Sequence, residues 1–319
     1  MIHLTDDQQI TIPVPSAWDE LTPAQIFTCV THHLQDATST IPLFFTIAGI
    51  RRGWRTFVWE RVMPAYMVEE KNAHISTLSD QLTSWMFSPK DDTSATLNYA
   101  TIINHFPVIR VRSRRFGFKY HKVIGPASLL SDISFGEFRA ALEELDEYFA
   151  LHHSGEDPVQ VSLQMDRFIA CLYRPQRANF SKISKSETFD GHCREPFNRS
   201  LISKNAPLVR YMSPAHRTII LLWFTFCVRY IQEQELIIGG RAVSLRALFP
   251  KPPEGEVHTS PAPKSQGGWA SILYSIAQEG LFGNADQTDK VALFDVLLYL
   301  YDQHQRNQAL KRKYATKGK

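Results

Sequence analysis

The side chains best suited to chemistry in this sequence are cations. Arg110, Arg112, Arg114, Arg115, Lys119 and Lys122 lie between Pro107 and Gly125, with no Asp or Glu among them. Guanidinium and ammonium groups at that density bind phosphate or carboxylate oxygens, so the stretch is a candidate ribbon for nucleic acid or for an acidic partner. The same pattern also suits a plainer role, an edge strand guarded by charge. A second stretch, residues 51–67, interleaves Trp54, Phe57, Trp59, Met63, Tyr66 and Met67 with Arg51, Arg52, Arg55 and Arg61. Such a mixture can stack on bases, but it equally describes a helix packed on one face. Other reactive residues are poorly placed for catalysis. The pairs His32-His33 and His152-His153 are adjacent, so on a helix they diverge and cannot form an i,i+4 metal pair. His192-Cys193 stands alone, without the further ligands that a zinc site needs. The turn at Gly283-Asn284-Ala285-Asp286 lacks the ligand spacing of a calcium loop. The glycine-rich phosphate loops, the zinc-protease helix motif and the nucleophile elbow are all missing. The residues therefore imply no catalytic group, no metal and no cofactor, and the chain reads as a non-enzyme.

The elements that must carry these side chains are legible from periodicity. Ile109, Val111 and Ser113 alternate with Arg110, Arg112 and Arg114, and Phe116, Phe118 and Tyr120 alternate with Gly117, Lys119 and His121. Alternation of period two predicts a small β-hairpin over 107–124, turning around 113–117. The rest is helical. Ser134 with Glu137 three residues on has the form of a capping box, and Phe135, Phe138, Leu142, Leu145 and Phe149 line one helix face. Glu143, Glu144, Asp146 and Glu147 fall on the other faces and are expected in solvent. Gly155 ends this helix, and a second runs from about Val159 through Leu163, Phe168, Ile169 and Leu172, stopped by Pro175. A short link between them predicts an antiparallel pair. Thr22-Pro23-Ala24-Gln25 forms a second capping box, opening a helix to about Gln35. A further helix is expected over 68–87, with Ile75, Leu78, Leu82 and Trp85 on its apolar side.

Composition sets the class. The chain has 319 residues, 20 Phe and a net charge of only +3, so it can bury a core and its bulk charge implies no nucleic-acid partner. Cys29, Cys171, Cys193 and Cys227 form no CxxC, and three of them fall in apolar stretches as buried free thiols, which fits a reducing, cytoplasmic setting. Met1 is followed by His-Leu-Thr-Asp-Asp, which is not a signal peptide. The longest apolar run, Thr218 to Val228, falls short of the roughly 20 residues that a membrane span needs, and predicts a central core helix within 214–235. The expected fold is mainly α: a helical bundle-like body over 1–238 with the β element at 107–124, a Pro/Gly-rich linker over 239–267, and a C-terminal helical pair over 268–319. In that pair Trp269, Ile272, Leu273 and Ile276 mark the first helix, and Val291, Phe294, Leu298 and Tyr301 the second. The basic end, with Lys311, Arg312, Lys313, Lys317 and Lys319, is expected to fray.

Three pieces occur in a telling order. Tyr120-His-Lys-Val-Ile-Gly125-Pro126 leads to Leu130-Ser-Asp-Ile-Ser-Phe-Gly-Glu-Phe138, then Phe168-Ile-Ala-Cys-Leu-Tyr-Arg-Pro175, then Gly268-Trp269 with a helix reaching Phe282-Gly-Asn. Over about residues 120–307 this resembles bacteriophage and prophage proteins of the tail-assembly-chaperone kind, particularly those of Bacteroidetes-type genomes. The resemblance implies a non-catalytic cytoplasmic protein that binds a helical tail component, the tape measure, before the tail tube polymerises. Phe135, Phe138, Trp269 and Phe282 would then hold a partner's amphipathic helices in a groove. Self-association is compatible with this reading, and no membrane partner is implied. Two alternatives stay open: a nucleic-acid-binding protein using the ribbon at 110–122, or a structural component of the virion or tail.

Overall fold

The structure, a computed structural model, describes residues 2–4, 10–12, 14–35, 39–50, 53, 58, 60–88, 96–112, 120–187, 189, 191–249 and 268–317. The fold is mainly α, with short antiparallel sheets between the helices. The chain divides into two compact units, one of residues 1–101 with 213–223, the other of residues 102–212 with 224–319.

In the first unit β1 (Ile2–Leu4) pairs with β2 (Ile10–Ile12), and the helices α1 (Pro23–Leu34), α2 (Ile41–Ile47) and α3 (Ala65–Thr83) follow. The box expected at Thr22 is present in both directions. Thr22 Oγ1 accepts from Gln25 N, and Gln25 Oε1 accepts from Thr22 N. Pro23 costs nothing at the first helical position, where its missing N–H would be unpaired anyway. Trp18 anchors the unit's core. It is fully buried, its indole donates to Asn98 O at 2.6 Å, and it meets Trp85 edge-on at 5.5 Å. Helix α3 departs from expectation on its inner side. Ile75, Leu78, Leu82 and Trp85 are only half-buried, whereas Ser79 and Thr83 are fully buried. Each hydroxyl bonds to the carbonyl four residues back, which satisfies it without an outside partner. The unit also holds β3 (Phe87–Ser88) and β4 (Thr96–Leu97). Part of the aromatic–basic stretch, including Trp54, Phe57 and Trp59, lies outside the described residues, as does the loop at 89–94; Tyr66 and Met67 are exposed in the first turn of α3.

The second unit is built on a three-stranded antiparallel sheet in the order β5 (Val108–Arg112), β6 (Tyr120–Ile124), β7 (Arg174–Pro175). The expected hairpin is present over 108–124, although its turn, 113–119, lies outside the described residues. Helices α4 (Phe135–Ser154) and α5 (Pro158–Leu172) follow, with Gly155 closing α4 in the left-handed conformation at φ 71°. They run antiparallel, since Glu144 meets Gln164 and Arg167 while Glu137 meets Arg174. Aromatic packing fills the space between them: Phe224 lies 5.3 Å from Phe168 and 6.3 Å from Phe138. Phe224 comes from the apolar run, which forms the middle of α8 (Pro214–Glu233), after the short helices α6 (Phe180–Ile183) and α7 (Ile202–Val209). Among the described residues no helix is long and apolar enough to cross a membrane.

Several expectations are corrected here. Residues 239–249, expected as the start of a linker, are ordered: β8 (Glu235–Ile238) turns through Gly239 and Gly240 into β9 (Arg241–Ser244), and Val243 and Leu245 are fully buried. Both turn glycines have positive φ, the conformation that a two-residue hairpin turn demands. Residues 250–267 lie outside the described residues. The C-terminal part comprises α9 (Gly268–Glu279), α10 (Ala285–Thr288) and α11 (Leu293–Lys317). In α11 the buried residues are Leu293, Val296 and Leu297, with Val291, Phe294, Leu298 and Tyr301 half-buried. The phase differs because the backbone before Leu293 is engaged elsewhere. Phe135 N donates to Val291 O, and Leu293 N donates to Ile133 O. The basic end is helical to Lys317, and cations in a last helical turn complement the negative end of the macrodipole.

Candidate functional site

The start of α4 carries the densest ionic chemistry among the described residues. Ser134 Oγ accepts from Glu137 N, as a helix cap should. The Glu137 carboxylate does not return to Ser134, so the box is half-formed. It is instead buried, accepting from Arg174 at 3.0 Å and from Arg194 at 2.7 Å. Arg174 arrives because α5 ends at Leu172 and the chain extends into β7. Arg194 arrives through an isolated bridge, Gln176 to Arg194. Their remaining donors reach Glu195 O, Cys171 O, Leu172 O and Asp132. A charge in such surroundings is tolerated only when paired and hydrogen-bonded, and this set meets that condition.

Two further ion pairs extend the network. Arg139, also buried, bonds Glu143 at 2.8 Å and Asp289 at 2.9 Å. Burial pulls its pKa down, but Asp289 and Glu143 outweigh that and hold it above its ordinary value. Beside it Gly136 N donates to Asp289 O at 2.9 Å, and a Cβ on Gly136 would sit 2.9 Å from that same oxygen. Glu144, expected in solvent, is buried and accepts from Gln164 and twice from Arg167. The hydrogen bonds of Glu144 raise the Arg167 pKa. The burial of Glu137, Arg139 and Glu144 was missed from the sequence. The signal available was Arg174, a charge directly after the apolar Ile169-Ala-Cys-Leu-Tyr173; nothing local marks Arg194. This network ties the start of α4 to the segments around Asp132, Arg174, Arg194 and Asp289.

Burial also acts on the thiols and on one phenol. Burial pushes the Cys29 thiol up to about 12, and pushes Cys171, Cys227 and the Tyr173 phenol upward as well. Tyr173 donates to Phe106 O at 3.0 Å, and Gly125 leaves the space its ring fills. Ser213 Oγ lies 2.8 Å from His216 Nδ1, but the same hydroxyl caps α8 by accepting from His216 N, and burial holds that imidazole below its usual pKa. Among the described residues no group of three or more His, Cys, Asp or Glu is placed to hold a metal ion.

Two of the partner-binding residues named from sequence do not lie at a surface. Phe135 and Phe138 are fully buried in the core, so they cannot grip a partner. Phe282 is half-buried and stacks edge-on with Tyr299 at 5.5 Å. Trp269 lies in α9, and its side chain is outside the described residues. The basic ribbon fares differently. Ile109, Val111 and Val123 are buried, so the opposite face of the hairpin looks outward. Arg110, Arg112, Lys122 and Tyr120 are all exposed on it, and Arg110 pairs across the strands with Lys122, Arg112 with Tyr120. Arg114, Arg115 and Lys119 lie outside the described residues. A second exposed feature is the far half of α11. Every residue from Gln305 to Tyr314 is exposed, with Leu310 at 49% and Tyr314 at 72%. No family model, curated protein or solved structure matches this chain.

Proposed function

We propose that this chain is a non-catalytic cytoplasmic assembly protein of phage or prophage origin, close in role to the tail-assembly chaperones it resembles, and that it binds a helical tail component of the tape-measure type. The observation that carries the reading is the far half of α11. An isolated helix of this length is marginal in water, because nucleation is costly and packing supplies most helical stability. Leu310 and Tyr314, four residues apart, share one face and are open to solvent. Arg306, Lys311, Arg312 and Lys313 surround them, with no Asp or Glu after Asp302. A partner helix with an apolar stripe and acidic flanks complements this surface in the helix-to-groove manner. This moves the binding surface from Phe135 and Phe138 to the chain's last helix.

The test is co-expression with the tape-measure protein of the same genome, followed by affinity purification through the latter. The expected result is a stable complex that Leu310→Asp with Tyr314→Asp abolishes, while the variant's own thermal unfolding is unchanged. Absence of a complex contradicts the proposal. Retention of the chain in purified particles would make it a structural tail component instead.

A further inference from the structure

From the outward face of the β5–β6 hairpin we infer a second binding site, one for single-stranded nucleic acid, in which Arg110 and Lys122 clamp the phosphate backbone and Tyr120 stacks on a base. Three observations carry it. First, Arg110 and Lys122 stand directly opposite each other in the antiparallel register, and both are exposed. Like charges in that position repel, so the pairing is unfavourable unless an anion lies between them. Neither side chain has an ion-pair partner among the described residues.

Second, the charges of both strands project from one face. Arg110 and Arg112 on β5 and Lys122 on β6 are exposed, while Ile109, Val111 and Val123 between them are buried, so the charge forms a continuous patch on the sheet's outward face. Third, the pair next along the ladder sets Arg112 beside Tyr120, whose ring is 64% exposed. A phenol ring left in water beside cations is the arrangement that stacks on unpaired bases while the cations track phosphates. An acidic protein segment would satisfy the cations but would leave the ring without a role, so the face favours single strands. This site is separate from the surface proposed on α11, and either reading can fail without the other.

Fluorescence anisotropy of the full chain with a labelled oligothymidylate of about 16 nucleotides tests the inference. Unlabelled duplex of the same length and polyglutamate serve as competitors. Binding is expected at low salt, with the single strand competing better than either. Tyr120→Ala should weaken it about tenfold. Arg110→Gln with Lys122→Gln should flatten the dependence of log K on log salt by about 1.4. All three positions are exposed, so the thermal midpoint should not fall and a folding defect would be visible as such. Three results overturn the proposal: no binding at low salt, binding that none of these substitutions alters, or polyglutamate displacing the oligonucleotide while Tyr120→Ala has no effect. The last would identify the face as a dock for acidic protein.

Discussion

Glu137 shows how one side chain can be read correctly in part and still mislead. Its position three residues after Ser134 predicts the helix start, and the Ser134 cap is present. Its carboxylate, however, answers to Arg174 and Arg194, which are 37 and 57 residues away in sequence. Partners at that separation leave no local signal, since nothing within a helical turn of Glu137 reports them. The energetic ranking follows from burial. Losing a helix cap costs about 1 kcal/mol, whereas removing one member of a buried ionic set leaves uncompensated charge and costs about 3–5 kcal/mol. Urea denaturation should therefore place Glu137→Ala well below Ser134→Ala in stability. Equal effects would mean that the two arginines find water in the variant, and that the network is far less buried than described. Two of the aromatic candidates, Phe135 and Phe138, met the same difficulty. Phe135 and Phe138 sit at helical spacing whether they face a core or a groove, and only packing distinguishes the two cases.

Elements were more legible than their surroundings. Capping at Thr22, the αL stop at Gly155, the two-residue alternation of β5 and the apolar run of α8 are each written in a few adjacent residues, and each is present. What could not be read is how elements engage one another. Strand β7 has only two residues and exists because β6 offers them a partner. The register of α11 is displaced because residues 289–293 lie against the first turn of α4. That contact makes a specific demand on Gly136, where a Cβ would press on the Asp289 backbone. Overpacking of this kind costs about 1–3 kcal/mol, against which alanine's helix propensity recovers at most about 1. Gly136→Ala should lower the thermal midpoint, and truncating Asp289 to Ala in the same chain should not restore it, since the backbone oxygen remains. A neutral Gly136→Ala would show that the 289–293 segment does not rest there.

At the scale of the whole molecule, two groups of charges stand apart. Those near the start of α4 are paired, buried and structural. Those on the β5–β6 face and along the end of α11 are exposed. The second group is open to partners, whereas motifs such as Phe168-Ile-Ala-Cys-Leu-Tyr-Arg-Pro175 belong to the scaffold. The scaffold's stability rests on the apolar side chains of α4, α5 and α8, and on the ion pairs that tie α4 to its neighbours. It leaves the far half of α11 with little to hold it, and a helix with few buried contacts opens locally at low free-energy cost. Amide hydrogen exchange over residues 305–317, with and without the co-expressed tape-measure protein, tests the central claim most directly. The account predicts fast exchange in the free chain and strong protection in the complex, confined to this helix. Protection already complete in the free chain, or a complex that leaves these amides unprotected, would contradict it.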